Sequence, residues 1–273
     1  MGTLYLVSTP IGNLEDITLR ALRILREVNL IAAEDTRHTR KLLKRYEITT
    51  KLTSYHEHNK EAREAFLLDV LEEGDLALVS DAGTPGLSDP GFELVHAALE
   101  RGYDVTPIPG PSAPIAALVA SGLPTDSFIF LGYLPRKAKA RRVFIESLAN
   151  ERRTLVLFEV PHRIQKTLGD LIAALGEDRR AALGRELTKM HEEIVRGTLG
   201  EVQAHTASGE PRGEYTLVLG GAPAPGKWTE PEVMEAMRAC IDSGLNRSSA
   251  ARKIAAESGW SRGEVYRLSM EER

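Results

Sequence analysis

Cysteine is almost missing from this chain of 273 residues, which holds only Cys240. One thiol excludes an intramolecular disulfide and a cysteine-rich metal centre, and it suits a reducing, cytoplasmic compartment. Cys240 itself reads as a small apolar helix residue. Long hydrophobic runs are absent too: none approaches the roughly 20 residues of a membrane helix. The opening "MGTLYLVSTP" lacks a basic leader, so no secretory signal is expected. Positive charge is not in excess. The formal net charge is −4, so any contact with nucleic acid must come from a local patch and not from a general basic field. Neither G-x-G-x-x-G nor G-x-x-x-x-G-K-[ST] occurs, which argues against a dinucleotide-binding Rossmann enzyme and a P-loop NTPase.

What is present is an alternation of short apolar runs with amphipathic segments. The runs "LYLV" (4–7), "NLIAAE" (29–34), "KLTSY" (51–55), "LALVS" (76–80) and "DVTPI" (104–108) predict strands of a mostly parallel sheet. Between them, "NKEAREAFLLDVLEEG" (59–74) predicts a helix capped by Asn59, with Ala62, Ala65, Phe66 and Val70 on one face. A second set of strands, "SFIFLGYL", "TLVLFEV", "AALGREL", "EIVRGTL" and "EYTLVLG", crowds together late, which suggests antiparallel pairing. "GGAPAPGK" (220–227) reads as a linker, and three short helical patterns follow it in helix-turn-helix fashion. The expected organisation is an α/β domain over 1–122, a second α/β domain over 123–221, and a linker with a small helical extension over 222–273.

Ligands of open α/β sheets bind beyond the carboxyl ends of the strands. Three unusual loops fall there: "STPIGN" (8–13), "SDAGTPGLSDPG" (80–91) and "PGPSA" (109–113). "DPG" at 89–91 matches a helix start, with Asp89 as N-cap and Pro90 at the first helical position. Capping leaves Ser80 to Leu87 unexplained. There Gly83 and Gly86 let a ligand approach the main chain, and Asp81 ends a buried strand with a carboxylate suited to hydroxyl or amino groups.

The segments "STPIGNLEDITLRAL", "AEDTRHTRKLL", "SDAGTPGLSDPG", "PGPSAPIAAL", "FLGYLPRK" and "RELTKMHEEIVRG" resemble bacterial methyltransferases of small-subunit ribosomal RNA. Those enzymes belong to the tetrapyrrole (corrin/porphyrin) methylase superfamily. The likeness runs in order over about residues 1–220. It implies two α/β domains with S-adenosyl-L-methionine in the cleft between them, a homodimer, and transfer of a methyl group to the ribose 2′-oxygen of a decoding-centre cytidine in 16S rRNA, within the 30S subunit. The cofactor contacts it implies are Pro10, Asp81, Gly83, Leu87, Ser112, Ala113, Phe158, Leu187 and Thr216.

A proton must leave the 2′-hydroxyl, and the polar candidates are Glu34, Asp35, Arg37 and His38 in "AEDTRH", with Glu186 and Lys189 in "RELTK". Asp35, Glu186 and Lys189 are the catalytic candidates, although Asp35 also reads as a helix cap and Lys189 as a surface lysine. RNA phosphates are expected to meet "RKAKARR", with Arg136, Lys137, Lys139, Arg141 and Arg142, beside Tyr133 as a stacking group. Arg37, Arg40, Lys41, Lys44 and Arg45 form a second basic cluster, and Arg163 a third. His56 and His58 share a strand face but lack a third ligand, so no metal site is expected. Two rivals stay open: a methylase of corrin or porphyrin precursors, and a non-catalytic RNA- or ribosome-binding protein on the same fold.

Overall fold

The computed structural model describes residues 2–223 and 226–271. By its internal contacts the chain divides into a larger unit, up to Ala149 together with Arg153–Gly220, and a smaller one of Asn150–Arg152 with Gly221–Arg273. The division falls within the glycine pair that opens the expected linker. Ala224 and Pro225 of that linker lie outside the described residues.

The larger unit carries two five-stranded sheets. In the first, β1 (Thr3–Val7), β2 (Leu30–Ala33), β3 (Leu52–Ser54), β4 (Leu76–Val79) and β5 (Asp104–Ile108) run parallel in the order β3-β2-β4-β1-β5. Its connections are the helices α1 (Leu19–Glu27), α2 (Thr36–Arg45), α3 (Lys60–Glu73) and α4 (Phe92–Glu100). Strands buried on both faces need apolar side chains at every position, and β2 and β4 are buried throughout. Ile31 and Ala33 face a core with α1 and α2, whereas Leu30 and Ala32 face one with α3 and α4.

Helix α5 (Ala113–Ala120) leads to the second sheet, of β6 (Phe128–Tyr133), β7 (Thr154–Glu159), β8 (Arg180–Arg185), β9 (Glu193–Thr198) and β10 (Tyr215–Leu219). The order is β6-β7-β10-β8-β9, with β6 and β7 parallel and the remaining pairs antiparallel. Helices α6 (Ala138–Ser147), α7 (Pro161–Leu175) and α8 (Leu199–Ala207) supply the core of one face. On the other face Val156, Ala182 and Val218 pack with Ala117 and Leu118 of α5, Ile11 and Leu187, so one apolar cluster joins the two sheets. The smaller unit holds α9 (Glu230–Asp242), α10 (Arg247–Ser258) and α11 (Arg262–Glu271) around a core of its own. This is the expected α/β architecture with a helical extension.

Two local expectations are corrected. Helix α3 buries Leu67, Leu68 and Leu71, while Ala62, Ala65 and Phe66 are exposed. Apolar residues occupy so much of its circumference that periodicity did not fix the rotation, and the leucines won the core. His56 and His58 lie past the end of β3, in a turn whose Asn59 Oδ1 accepts the His56 N–H at 2.8 Å. They share no strand face, and among the described residues no three His, Cys, Asp or Glu side chains group to hold a metal.

Candidate functional site

The carboxyl ends of β1, β4 and β5 bring the three unusual loops together. Thr9 and Gly83 exchange main-chain hydrogen bonds at 2.9 and 3.0 Å. Thr9 Oγ1 donates to the Ser80 carbonyl at 3.1 Å, and the Ser8 and Thr84 hydroxyls meet at 3.1 Å. Gly83 and Gly86 both have φ +81, a left-handed conformation that side chains disfavour. A Cβ on Gly110 would stand 2.9 Å from that of Ser8, so the turn after β5 approaches the first loop only because it carries glycine.

These loops form one wall of a cleft of about 1100 Å³, its open mouth included. The opposite wall comes from the ends of β6, β7 and β10 and from the turn after β8. That turn is strained: Glu186 (φ +50) and Thr188 (φ +66) flank Leu187 and press its side chain into the cleft wall, over Gly184. Of the positions implied for the cofactor, Asp81, Gly83, Leu87, Ser112, Ala113, Phe158, Leu187 and Thr216 line the cleft. Pro10 is buried one residue before the lining, which Ile11 takes up instead.

The cleft is acidic. Glu34, Asp81, Asp89, Glu159 and Glu214 line it, and among the described residues no Lys, Arg or His does. Asp81 ties two loops together, its Oδ1 accepting the Asp35 N–H at 2.9 Å. Burial raises the Glu34 carboxyl above its ordinary range, and the nearby Asp81 and Asp35 carboxylates add to that. Asp89 is pushed up to about 7 by burial first, then by the Glu34, Asp81 and Glu214 carboxylates, against a hydrogen bond with Ser80. Glu159 is fully buried: its Oε1 accepts the Val160 N–H at 2.8 Å and its Oε2 the Thr167 hydroxyl at 2.6 Å.

Asp89 is therefore not the helix cap its sequence suggests. Helix α4 starts at Phe92 with Gly91 in the cap position, and Ser88 is left-handed (φ +64). That kink aims the carboxylate at the cleft. Asp89, Glu159 and Glu214 are the site residues that sequence reasoning passed over. Glu214 stood in plain view beside Thr216 in "GEYT", but the fold alone shows that it joins Asp89.

The three catalytic candidates stand outside the lining. Asp35 caps α2, accepting the Arg37 N–H at 2.8 Å, and its bonds with the Arg37 guanidinium hold its carboxyl well below the carboxylate range. Lys189 Nζ reaches Glu186 Oε1 at 2.8 Å and Glu214 Oε2 at 3.0 Å, and Glu186 Oε1 also accepts the Glu214 N–H at 3.0 Å. Glu186 and Lys189 thus clasp the strained turn. Against its burial, these bonds hold the Glu186 carboxyl below its usual range.

The basic clusters divide similarly. Arg37, Arg40, Lys41, Lys44 and Arg45 are exposed along α2, and Arg136, Lys137, Lys139 and Arg142 are exposed at the start of α6. Arg141 is not available to RNA. It shares the inner face of α6 with Ile145, is buried, and bonds Asp170 of α7 at 2.8 Å. Arg163 also turns inward, donating to the Leu134 carbonyl at 2.8 Å and pairing with Glu159 at 3.3 Å. Tyr133 lies on the cleft rim, half exposed, its ring 5.5 Å from that of Phe158.

This chemistry suits S-adenosylmethionine. Carboxylates favour a sulfonium and an ammonium group, Phe158, Leu187 and Ile11 offer an apolar slot, and Ser112, which makes no side-chain cap, lines the cleft with Ala113 at the start of α5. The model of the tetrapyrrole (corrin/porphyrin) methylases matches residues 3–203. The chain is 50% identical over 274 residues to a Synechocystis protein named ribosomal RNA small subunit methyltransferase I, covering 99% of this chain and 98% of that one. A Bacillus subtilis protein of the same name is 43% identical over 273 residues, covering 97% and 93%. Among solved structures, cobalt precorrin-4 methyltransferase superposes with a TM-score of 0.61 at 19% identity, over 80% of this chain and 94% of that one. Uroporphyrin-III C-methyltransferase from Thermus thermophilus, complexed with S-adenosyl homocysteine, gives 0.57 at 23% identity, over 80% and 97%.

Proposed function

The chain belongs to the tetrapyrrole (corrin/porphyrin) methylases, and we propose that it uses S-adenosylmethionine to methylate small-subunit ribosomal RNA, at the ribose 2′-oxygen of a decoding-centre cytidine. One observation carries the choice of substrate. Both exposed basic helices spring from the cleft: Glu34 of the lining leads into α2, and Tyr133 of the rim into α6. A polyanion can be gripped along the rim while an uncharged ribose enters the acidic interior. A tetrapyrrole precursor brings several carboxylates of its own, which the same interior repels. The relatives' shared name supports the ribosomal assignment. The reading includes a homodimer working on the 30S subunit in the cytoplasm, and exposed Phe92 on α4 and Val119 on α5 offer apolar surface for a second copy.

Bound S-adenosylmethionine supplies an electrophilic methyl group. Asp81, the main chain at Gly83 and the Ser112–Ala113 step would hold one side of the ligand, with Phe158, Leu187 and Thr216 on the other. Ionised carboxylates of the cleft would favour its positive charge. Asp89 is the group we assign to accept the hydroxyl proton, because it lines the cleft and burial with the neighbouring carboxylates pushes it up to about 7. Tyr133 offers a face on which the target base can stack.

The test is transfer of radiolabelled methyl to 30S subunits lacking the modification, with naked 16S RNA and uroporphyrinogen as competing acceptors. Label on a cytidine ribose of the subunit is expected. Label on no RNA, or on uroporphyrinogen alone, overturns the assignment.

A further inference from the structure

No described residue of the smaller unit is among those that line the cleft, yet its surface is organised. Gly259 caps the end of α10 in the left-handed conformation (φ +69), and Ser261 precedes α11. Ser261 Oγ accepts the Glu264 N–H at 3.2 Å while Glu264 Oε2 accepts the Ser261 N–H at 2.7 Å, a reciprocal cap that fixes where α11 begins. Val233 and Met237 of α9, Ala250, Ala251 and Ile254 of α10 and Val265 of α11 share one core. Two helices joined by a three-residue glycine turn and braced by a third make a helix-turn-helix.

Charge is unevenly spread within it. Helix α9 holds Glu230, Glu232, Glu235 and Asp242 against Arg238, whereas α10 and α11 together hold Arg247, Arg252, Lys253, Arg262 and Arg267 against Glu257, Glu264 and Glu271. Arg252, Lys253 and Arg267 are exposed and make no ion pair or hydrogen bond with any described residue. On α11, Val265 and Ser269 point inward, so Gly263, Tyr266, Arg267 and Met270 form the outer face, with Tyr266 41% exposed. A Cβ on Gly263 would meet nothing within 4 Å, which leaves that face open at its first turn. Arg262 donates to Ser248 Oγ at 2.8 Å and ties the starts of α10 and α11 together. A half-exposed ring next in sequence to an unpaired guanidinium offers a face on which an unpaired base can stack while the cations meet its phosphates. An apolar protein partner would instead strand three cations away from water.

We propose that this unit is a second RNA-binding module. It sets the outer face of α11, with Arg252 and Lys253 of α10, against the backbone and one unstacked base of a structured RNA. The choice of RNA over DNA rests on the ribosomal reading above. Because the chain tethers this module to the methylating unit, even weak binding raises the local concentration of substrate at the cleft.

The full chain is compared with a triple variant, Arg252→Gln, Lys253→Gln and Arg267→Gln, and with Tyr266→Ala. The probes are a labelled RNA hairpin carrying the decoding-centre cytidine and duplex DNA of the same sequence, read by anisotropy over a range of salt. The triple variant should bind the hairpin about tenfold or more weakly, and the slope of log Kd against log salt should fall by about 2 to 3. Tyr266→Ala should weaken binding about fivefold or more with the slope unchanged. Calorimetry with S-adenosyl homocysteine should give the wild-type affinity for both, which shows that the larger unit is intact. Wild-type hairpin affinity and slope in both variants would overturn the module, as would tighter binding of duplex DNA than of the hairpin. If the wild-type chain methylates no RNA but the triple variant still loses hairpin affinity, the function fails and the module stands. If RNA is methylated and the variants bind as wild type does, the module fails alone.

Discussion

Asp35 and Asp89 stand in similar local sequence, each following a buried strand and preceding a helix, and they end in opposite states. Asp35 caps α2 and is held ionised by Arg37. Asp89 caps nothing, faces three other carboxylates and keeps its proton up to about pH 7. Capping preference is thus a local tendency that the neighbours can overrule. At Asp35 a guanidinium two residues away rewards the ionised, capping rotamer. At Asp89 a left-handed Ser88 turns the side chain away, and Gly91 takes the cap position, where a Cβ would stand 3.0 Å from Leu78 Cδ2.

Breaking the link between the two loops should have the largest effect. Asp81→Ala removes the acceptor of the Asp35 N–H and a carboxylate of the cleft. Affinity for S-adenosyl homocysteine should drop about 10- to 100-fold by calorimetry, as for loss of a charged hydrogen-bonding group; unchanged affinity takes Asp81 out of the site. Next comes Asp89→Asn. A carboxyl raised above its unfolded value, about 4, stabilises the fold fully below that value and loses the contribution as pH climbs through 7. The asparagine variant should therefore be the more stable protein at pH 8, by about 1–2 kcal/mol once the open mouth of the cleft is allowed for, and the advantage should vanish near pH 4. Thermal melts across that range check it, and a constant difference would mean that Asp89 does not titrate there. The smallest effect belongs to Asp35→Ala. Its lowered value places its stabilisation above about pH 4, to be lost only in stronger acid. Melting temperature should fall by about 2–4 °C equally at pH 5 and pH 8; a pH-dependent difference in that window would erase the contrast with Asp89.

The fold was legible because its signals are local. Apolar runs at β2 and β4, glycines at 83 and 86 and the cap at Asp35 each act within a few residues. Most of the cleft lining followed from loops placed after strands. The acidic cluster was not legible, since Glu34, Asp89 and Glu214 meet only when two sheets close on each other. The opposite error arose at Arg141, where a run of five cations in "RKAKARR" looked uniformly solvated. Helical phase buried one of them, Arg141, against Asp170, a residue far along the chain that the exposed Arg142 also reaches. Charge runs show composition, and helical rotation decides which member faces water.

Strand order has a consequence for synthesis. β1, which precedes the other described strands along the chain, lies between β4 and β5, so it has no lateral partner until residues near 79 and then 108 have emerged. For that interval an apolar, two-edged segment must stay unpaired in the nascent chain, the exposure that invites misassociation or chaperone capture. Slowing translation between the codons of β1 and β5 should therefore harm the yield of folded protein more than the same delay placed among the codons of α9 to α11.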